Sequence, residues 1–444
     1  MSCKGLQNTK FYTMILVSVM LFGIFSLSPA ISSLMNNVII RSTGRISTVA
    51  YARSGSAKDI QVAVDQVAVA GDIGNVYIPA GTFNFVEAAE SWMTVNVSAG
   101  VNLFGALTER DANGQVIEWR TVLVMPFEAP EDSIFFHITG EQNPDRPFRF
   151  SDIKLVGYRE FNSSSTTRYD GIEIEDVINF RVDHCYLRNV CGNGITSTVG
   201  AYGSYGRKEY GKTYTCGLID HCKLVNNPGH VEWAIANCTV SYGVRTDRGS
   251  WSEEWEDDIS KVLGHYTSYT VFIEDCYFEK WRHCVCSNHG AHYVFRHNTI
   301  KNDFGLGSLD AHGWAYISEG RVLVGTRAME IYENELLDPV GQSEGVLDLI
   351  YFRGGGGVVF NNTVTGYTQF VSLGQEASDD VSKCQIHDVY IWNNSLPAGC
   401  KEINVYYGDK NPIEEGVDYF RHAPDIFNYE PYPYPHPLTI EATP

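Results

Sequence analysis

Basic residues are scarce in this chain of 444: 33 Lys and Arg stand against 53 Asp and Glu, for a formal net charge of −20. Binding phosphate requires Lys and Arg to displace counterions, so general binding to nucleic acid or to anionic membrane surfaces is excluded. Charge of either sign is thin, at 19% of residues against roughly 25% in soluble proteins. After Arg41 there is no apolar run long enough to span a bilayer as a helix. What is abundant is Gly (41), Tyr (26), Phe (22) and Trp (8), a composition that favours strands and turns. The length fits two or three ordinary domains or one elongated repeat array, and excludes a small disulfide-stapled module.

The amino terminus is different. Lys4 and Lys10 precede the apolar residues 11–25, and Ser28 and Ala30 follow at the small-residue spacing of a signal peptidase site. The expectation is a secretory signal over residues 1–30. The alternative is an uncleaved anchor, because no charge stands between Lys10 and Arg41. Either way the remaining chain faces an extracytoplasmic space, secreted or at the cell surface. Cleavage removes Lys4, Lys10 and Cys3, leaving 31 basic residues against 53 acids, a charge of −22, and ten cysteines.

One six-residue pattern recurs through the chain: an apolar residue, two polar residues, a marked position, one variable residue, and a second apolar residue. It reads Val182, Asp183, His184, Cys185, Tyr186, Leu187, and again Phe295, Arg296, His297, Asn298, Thr299, Ile300. The marked position is Ile153, then Cys185, Cys222, Cys276, Asn298, Asn334, Asn362 and Asn394, separated by 32, 37, 54, 22, 36, 28 and 32 residues. Units this short, each apolar on one face, bury that face by stacking on their neighbours. The marked position then becomes a ladder. An Asn there, in left-handed dihedrals, bonds its amide to the Asn one coil away, and a Cys fits the same small slot.

This organisation resembles the right-handed parallel β-helices of the pectate-lyase type, over roughly residues 45–440. The resemblance implies an all-β, single-stranded solenoid with a short N-terminal capping helix, for which Ile60, Val64 and Val67 have helical spacing. Gly74, Val76, Ile78, Pro79, Ala80 and Gly81 follow as strand and turn. The expected layout is a β-helix domain over 31–440, with an N-terminal cap at about 45–105 and an insertion at about 239–268. A Pro/Tyr-rich segment over 429–444 closes it, a stop rather than another coil because proline cannot supply ladder bonds.

In a solenoid, turns and insertions carry function. Within the insertion, residues 251–258 hold two indoles, Trp251 and Trp255, and five acids, Glu253, Glu254, Glu256, Asp257 and Asp258. These are candidates for a sugar-binding lip or a Ca²⁺ site, or else a solvated loop, and they lack EF-hand spacing. Counting from the ladder is more informative. Asn288 lies twelve residues after Cys276 and is followed by His289; Asp310 lies twelve after Asn298, with His312 two further on. Asp348 lies fourteen after Asn334, Arg353 opens the run Gly354 to Gly357, and Arg327 lies seven before Asn334. Coils without intervening insertion place these on one edge, with Asp310, His312, Arg327 and Arg353 as candidate catalytic groups. Asn288, His289, Asp348, Trp251 and Trp255 are the candidate substrate contacts. The bland alternatives are an Arg327–Asp310 ion pair, a His312 that satisfies a turn, and glycines that serve a bulge. His184 and His221 hold equivalent repeat positions and read as turn residues.

The resemblance implies a polysaccharide or cell-surface glycan as partner and two reaction types. One is elimination with Ca²⁺ held by Asp310 and Asp348 and with Arg327 or Arg353 as base. The other is hydrolysis between carboxylates. Neither signature is matched residue by residue, so the sequence names no metal. A third reading is a non-catalytic adhesin or glycan-binding module. A chain at −22 repels polyuronates unless a cation or a local basic patch such as Arg327 with Arg353 intervenes, whereas neutral glycans need neither. Cys384 and Cys400 bracket one terminal coil and are expected to pair. Glycosylation sequons stand at Asn96, Asn162, Asn237, Asn361 and Asn393, the last two expected to be buried beside the ladder.

Overall fold

A computed structural model of the chain describes residues 40–42, 45–69, 73–86, 92–112, 114–125, 130, 133–158, 169–190, 192–199, 213–226, 242–248, 256–301, 307–313, 316–318, 321–338, 348–376, 384–406 and 412–440. The proposed signal, Trp251, Trp255, Asn162 and Asn237 lie outside the described residues. Three long sheets dominate, of thirteen, ten and nine strands among the described residues. One coil shows how they are made. Ile178–Asp183 lies in the thirteen-stranded sheet, Tyr186–Arg188 in the nine-stranded sheet and Ile195–Thr198 in the ten-stranded sheet, after which Cys216–Asp220 returns to the first. Apart from the first hairpin, Ile40–Ser42 with Arg45–Tyr51, every pairing within these sheets is parallel. The chain is a right-handed parallel β-helix.

Register explains why the coils hold. Val182 pairs with Ile219, Ile219 with Ile273, Ile273 with Phe295, Phe295 with Ile331 and Ile331 with Val359. Every member of that column is fully buried, and burying each such side chain is worth about 1.5–3 kcal/mol. Leu187, Leu224, Phe278, Ile300 and Leu336 form the matching column of the nine-stranded sheet. Ile195, Val244, Val285, Leu309, Ile350 and Val371 do so in the ten-stranded sheet. The helix Ala57–Val69 turns Ile60, Val64 and Val67 inward against the first coils. No helix of the described residues is long and apolar enough to cross a membrane.

The ladder forms at the corner between the thirteen- and nine-stranded sheets. Asn298 Oδ1 accepts from Cys276 N at 2.8 Å, Asn334 Oδ1 from Asn298 N at 2.9 Å, and Asn362 Oδ1 from Asn334 N at 3.2 Å. Asn394 Oδ1 accepts from Asn362 N at 3.0 Å, and Cys276 Sγ from Cys222 N at 3.4 Å. The left-handed residue is not the ladder residue but the one before it: Asp152, His184, His221, Asp275, His297, Glu333, Asn361 and Asn393 all have φ between 52° and 62°. The ladder side chain points into the coil, so the sharp change of direction falls on its polar predecessor. Asn361 and Asn393 are therefore exposed rather than buried. His184 and His221 stack with ring centroids 4.9 Å apart.

Three expectations are corrected. The insertion at about 239–268 contains Tyr242–Asp247, a regular strand between Ile195–Thr198 and His283–Asn288. Residues 259–263 then pack Ile259, Val262 and Leu263 onto the outside of the thirteen-stranded sheet. Cys384 and Cys400 are both free thiols: buried Cys384 accepts from Gly325 N, and Cys400 contacts its neighbour's carbonyl. The Pro/Tyr segment does not close an end. It runs back along the thirteen-stranded sheet as a strap: Tyr429 donates to Glu330, Pro433 O accepts from Arg296, Tyr434 donates to Asp275, and Leu438 O accepts from Arg181.

Candidate functional site

On the ten-stranded sheet, the residues between the core columns face outward. Arg245 pairs with Cys286, Cys286 with Asp310, Asp310 with Tyr351, and Tyr351 with Ser372. His312 and Arg353 each stand two residues beyond Asp310 and Tyr351, so alternation returns them to the same face. The sheet thereby brings together side chains from three consecutive coils.

Their centre is Asp310, wholly buried. Arg353 grips it with two bonds, Nε to Oδ1 at 3.0 Å and Nη2 to Oδ2 at 2.7 Å. His312 Nε2 is 3.0 Å from Asp310 Oδ2, and its Nδ1 is 3.4 Å from Glu376 Oε2. Glu376 closes the ring by accepting from Arg353 Nη1 at 2.9 Å and from Gly313 N at 3.0 Å. Tyr351 lies under the guanidinium, 5.6 Å from ring centroid to carbon. One coil away, Asp348 Oδ1 accepts from Tyr406 OH at 2.9 Å and from the Ser372 hydroxyl.

The two aspartates are driven in opposite directions. Burial would raise Asp310, but His312 and Arg353 outweigh it and hold the carboxyl well below the usual range. Burial raises Asp348, and its two hydroxyl donors offset only part of that. For His312, burial is outweighed by the Asp310 charge, which pushes the imidazole up to about 10. Burial would also raise Glu376, but His312 and Arg353 bring it down. His283 goes the other way, lowered to about 4 by burial.

Not every candidate joins this group. Arg327 is buried on the other side of its coil, where Nε donates to Glu256 O at 2.7 Å and Nη2 faces Asp257 O at 3.5 Å. It neither pairs with Asp310 nor forms a basic patch with Arg353, whose charge is met by Asp310 and Glu376. The acidic loop thus offers Arg327 backbone carbonyls, while its Asp258 side chain caps the short helix Ile259–Lys261. His289 is buried one coil upstream, with Nδ1 2.8 Å from Asp247 Oδ2, and Asn288 Oδ1 accepts from His289 N. The glycines after Arg353 serve close packing rather than ligand approach. Gly355 has φ of 69°, and a Cβ on Gly357 would lie 2.0 Å from Met329 O. His283, Cys286, Glu376 and Tyr406 escaped sequence reasoning. Glu376 was within reach, for it lies fourteen residues after Asn362, the offset of His312 from Asn298 and of Asp348 from Asn334.

No family model matches the chain, and no curated protein matches it. Among solved structures it is similar to an alginate lyase from Paenibacillus sp. str. FPU-7, at 11% identity over 82% of this chain and 99% of that one, with a TM-score of 0.44. A surface adhesin of Streptococcus pneumoniae shares 12% identity over 78% and 89% of the two chains, TM-score 0.37. The Dettilon tailspike protein shares 12% over 80% and 68%, TM-score 0.34. The fold itself, a parallel β-helix, rests on the strand order of the three long sheets.

Proposed function

We propose that the protein is an exported enzyme that cleaves a polysaccharide by acid–base chemistry on the outer face of the ten-stranded sheet. The observation that carries this reading is the pair of carboxyls, Asp310 and Asp348, on neighbouring coils with opposed proton affinities. Such a divergence assigns roles: the raised group is the proton donor or acceptor, while the lowered one stays ionised and stabilises positive charge developing on a sugar ring. Arg353, His312 and Glu376 fix the Asp310 carboxylate in place, and Tyr406 and Ser372 orient Asp348. Asn288 extends the same face by one coil as a substrate contact, whereas His289 is buried against Asp247.

The electrostatics favour hydrolysis of a neutral glycan over elimination from a polyuronate. Arg353 is neutralised by Asp310 and Glu376, Arg327 is elsewhere, and the whole chain is strongly acidic. Nothing in this group attracts a uronate, and a guanidinium gripped by two carboxylates does not serve as a base. The test is a panel of neutral and uronate polymers, read both for new reducing ends and for the ultraviolet absorbance of an unsaturated product. Reducing ends without the absorbance are expected, and Asp348→Asn should lower kcat by about 10²–10⁴, the usual worth of a general acid or base. A folded parent inert on the whole panel would instead favour the non-catalytic binding module.

A further inference from the structure

The same face carries a buried histidine, His283, that acid–base chemistry does not use. His283, Asp310 and His312 bring one imidazole nitrogen, one carboxylate oxygen and a second imidazole nitrogen within 4.8 Å of one another. His283 is 2% exposed, and its Nδ1 is 2.5 Å from Gly307 O. A carbonyl only accepts, so Nδ1 carries the proton and Nε2 is left as a bare lone pair. Among the described residues that buried Nε2 has no hydrogen-bond partner. It therefore wants a donor or a cation.

His312 presents the complementary problem. Each of its ring nitrogens faces a carboxylate oxygen, Nε2 toward Asp310 and Nδ1 toward Glu376, which requires a proton on both. Yet Arg353 Nη2 also abuts both ring nitrogens. A guanidinium has no lone pair to offer and a doubly protonated imidazole has none to spare, so donor meets donor.

We propose that His283 Nε2, His312 Nε2 and Asp310 form a binding site for a divalent metal of the zinc type, whose occupation displaces the Arg353 guanidinium from Asp310. With an ion there, every ring nitrogen of His283 and His312 has a partner. His283 Nε2 ligates while Nδ1–H donates to Gly307 O; His312 Nε2 ligates while Nδ1–H donates to Glu376. That is the outer-shell pattern of metal-bound histidines, where the second nitrogen is fixed by a carbonyl or a carboxylate. Cys286 Sγ lies beside the group, 3.8 Å from Asp310 Oδ2, and a water would complete a tetrahedron. Two imidazoles in three ligands select a borderline-soft ion and disfavour Ca²⁺, which takes oxygen.

The metal site shares Asp310, His312 and Arg353 with the proposed glycan site, but its test involves no glycan and reads metal uptake alone. The full chain, stripped with chelator, is titrated with Co²⁺ followed by visible absorbance, and then with Zn²⁺ by calorimetry. One ion per chain is expected, with Zn²⁺ displacing Co²⁺. His283→Gln and His312→Gln should each weaken binding at least about tenfold while the thermal midpoint of the metal-free protein shows that both variants fold. Arg353→Met should tighten binding by removing the competing cation. Absence of saturable uptake by the folded parent, or uptake that both histidine variants retain in full, overturns the site; an affinity unchanged or weakened in Arg353→Met overturns the exchange with Arg353.

Discussion

The outer faces of two sheets in this solenoid start from the same repeating backbone and end differently. On the thirteen-stranded sheet, the outward row runs Phe104, Ser151, Asp183, Asp220, Glu274, Arg296, Tyr332, Phe360, Trp392. Its charges are paired with each other: Arg149 holds Asp183 at 2.7 and 2.8 Å, Arg181 holds Asp220 at 2.8 Å twice, and Arg296 holds Glu274. Its aromatic end stacks, Phe360 on Trp392 at 4.4 Å, and the strap covers both. On the ten-stranded sheet the outward charges come from three coils, and its two aspartates are driven in opposite directions. Charge alone therefore does not mark function in a β-helix. What separates the two faces is that the strap covers the paired charges of one, while on the other Asp348 has only hydroxyl partners beside a paired cluster.

That contrast can be broken from either side. The largest effect is expected at Arg296→Ala on the covered face. It strands a buried Glu274 and removes donors to Tyr432 O and Pro433 O, so unfolding free energy should fall by about 3–5 kcal/mol, measured by denaturant titration, with turnover per folded molecule unchanged. Turnover falling in proportion would mean the faces are not separable. At Arg353→Lys the balance should reverse. Lysine keeps the charge but loses the planar fork on Asp310, so activity should drop about tenfold with a thermal midpoint within a few degrees of the parent.

The smallest effect concerns acid. His436, 1% exposed in the strap, is lowered to about 4 by burial first and by Arg296 second, with Arg181 adding to this and Asp220 opposing it. Its Nδ1 accepts from Leu438 N at 3.1 Å, and its own N donates to Glu274. A histidine lowered on folding leaves the unfolded chain as the better proton acceptor between its ordinary value near 6.5 and the folded one. The stabilisation is thus complete above about pH 6.5 and is lost as pH falls toward about 4. His436→Gln should flatten the decline of the thermal midpoint across that window, and a decline as steep as the parent's would place the acid-sensitive group elsewhere.

The sequence was most legible where one residue type meets one slot. The Asn and Cys ladder fixes the corner between two sheets, because no other geometry returns a small polar or thiol side chain to the same buried place. Counting forward from it reached Asp310, His312 and Asp348, since each coil leaves the corner with the same short strand. Counting backward to Arg327 failed. A residue seven before the ladder precedes the strand Ala328–Tyr332 of the thirteen-stranded sheet, so it faces another layer. His283 was not visible because a lone histidine at a strand's start carries no period, and the strap was not visible because its prolines and tyrosines name no partner.

The strap also sets a sequence of events for making the molecule. Coils can stack as they appear, each on its predecessor, but Arg181, Glu274 and Arg296 receive Leu438, His436 and Pro433 only from the far end of the described chain. During synthesis the middle of the solenoid is therefore assembled before it is sealed. Its charged column remains open to water, and to chaperones and proteases, until residues 429–440 arrive to report that the last coil has been made.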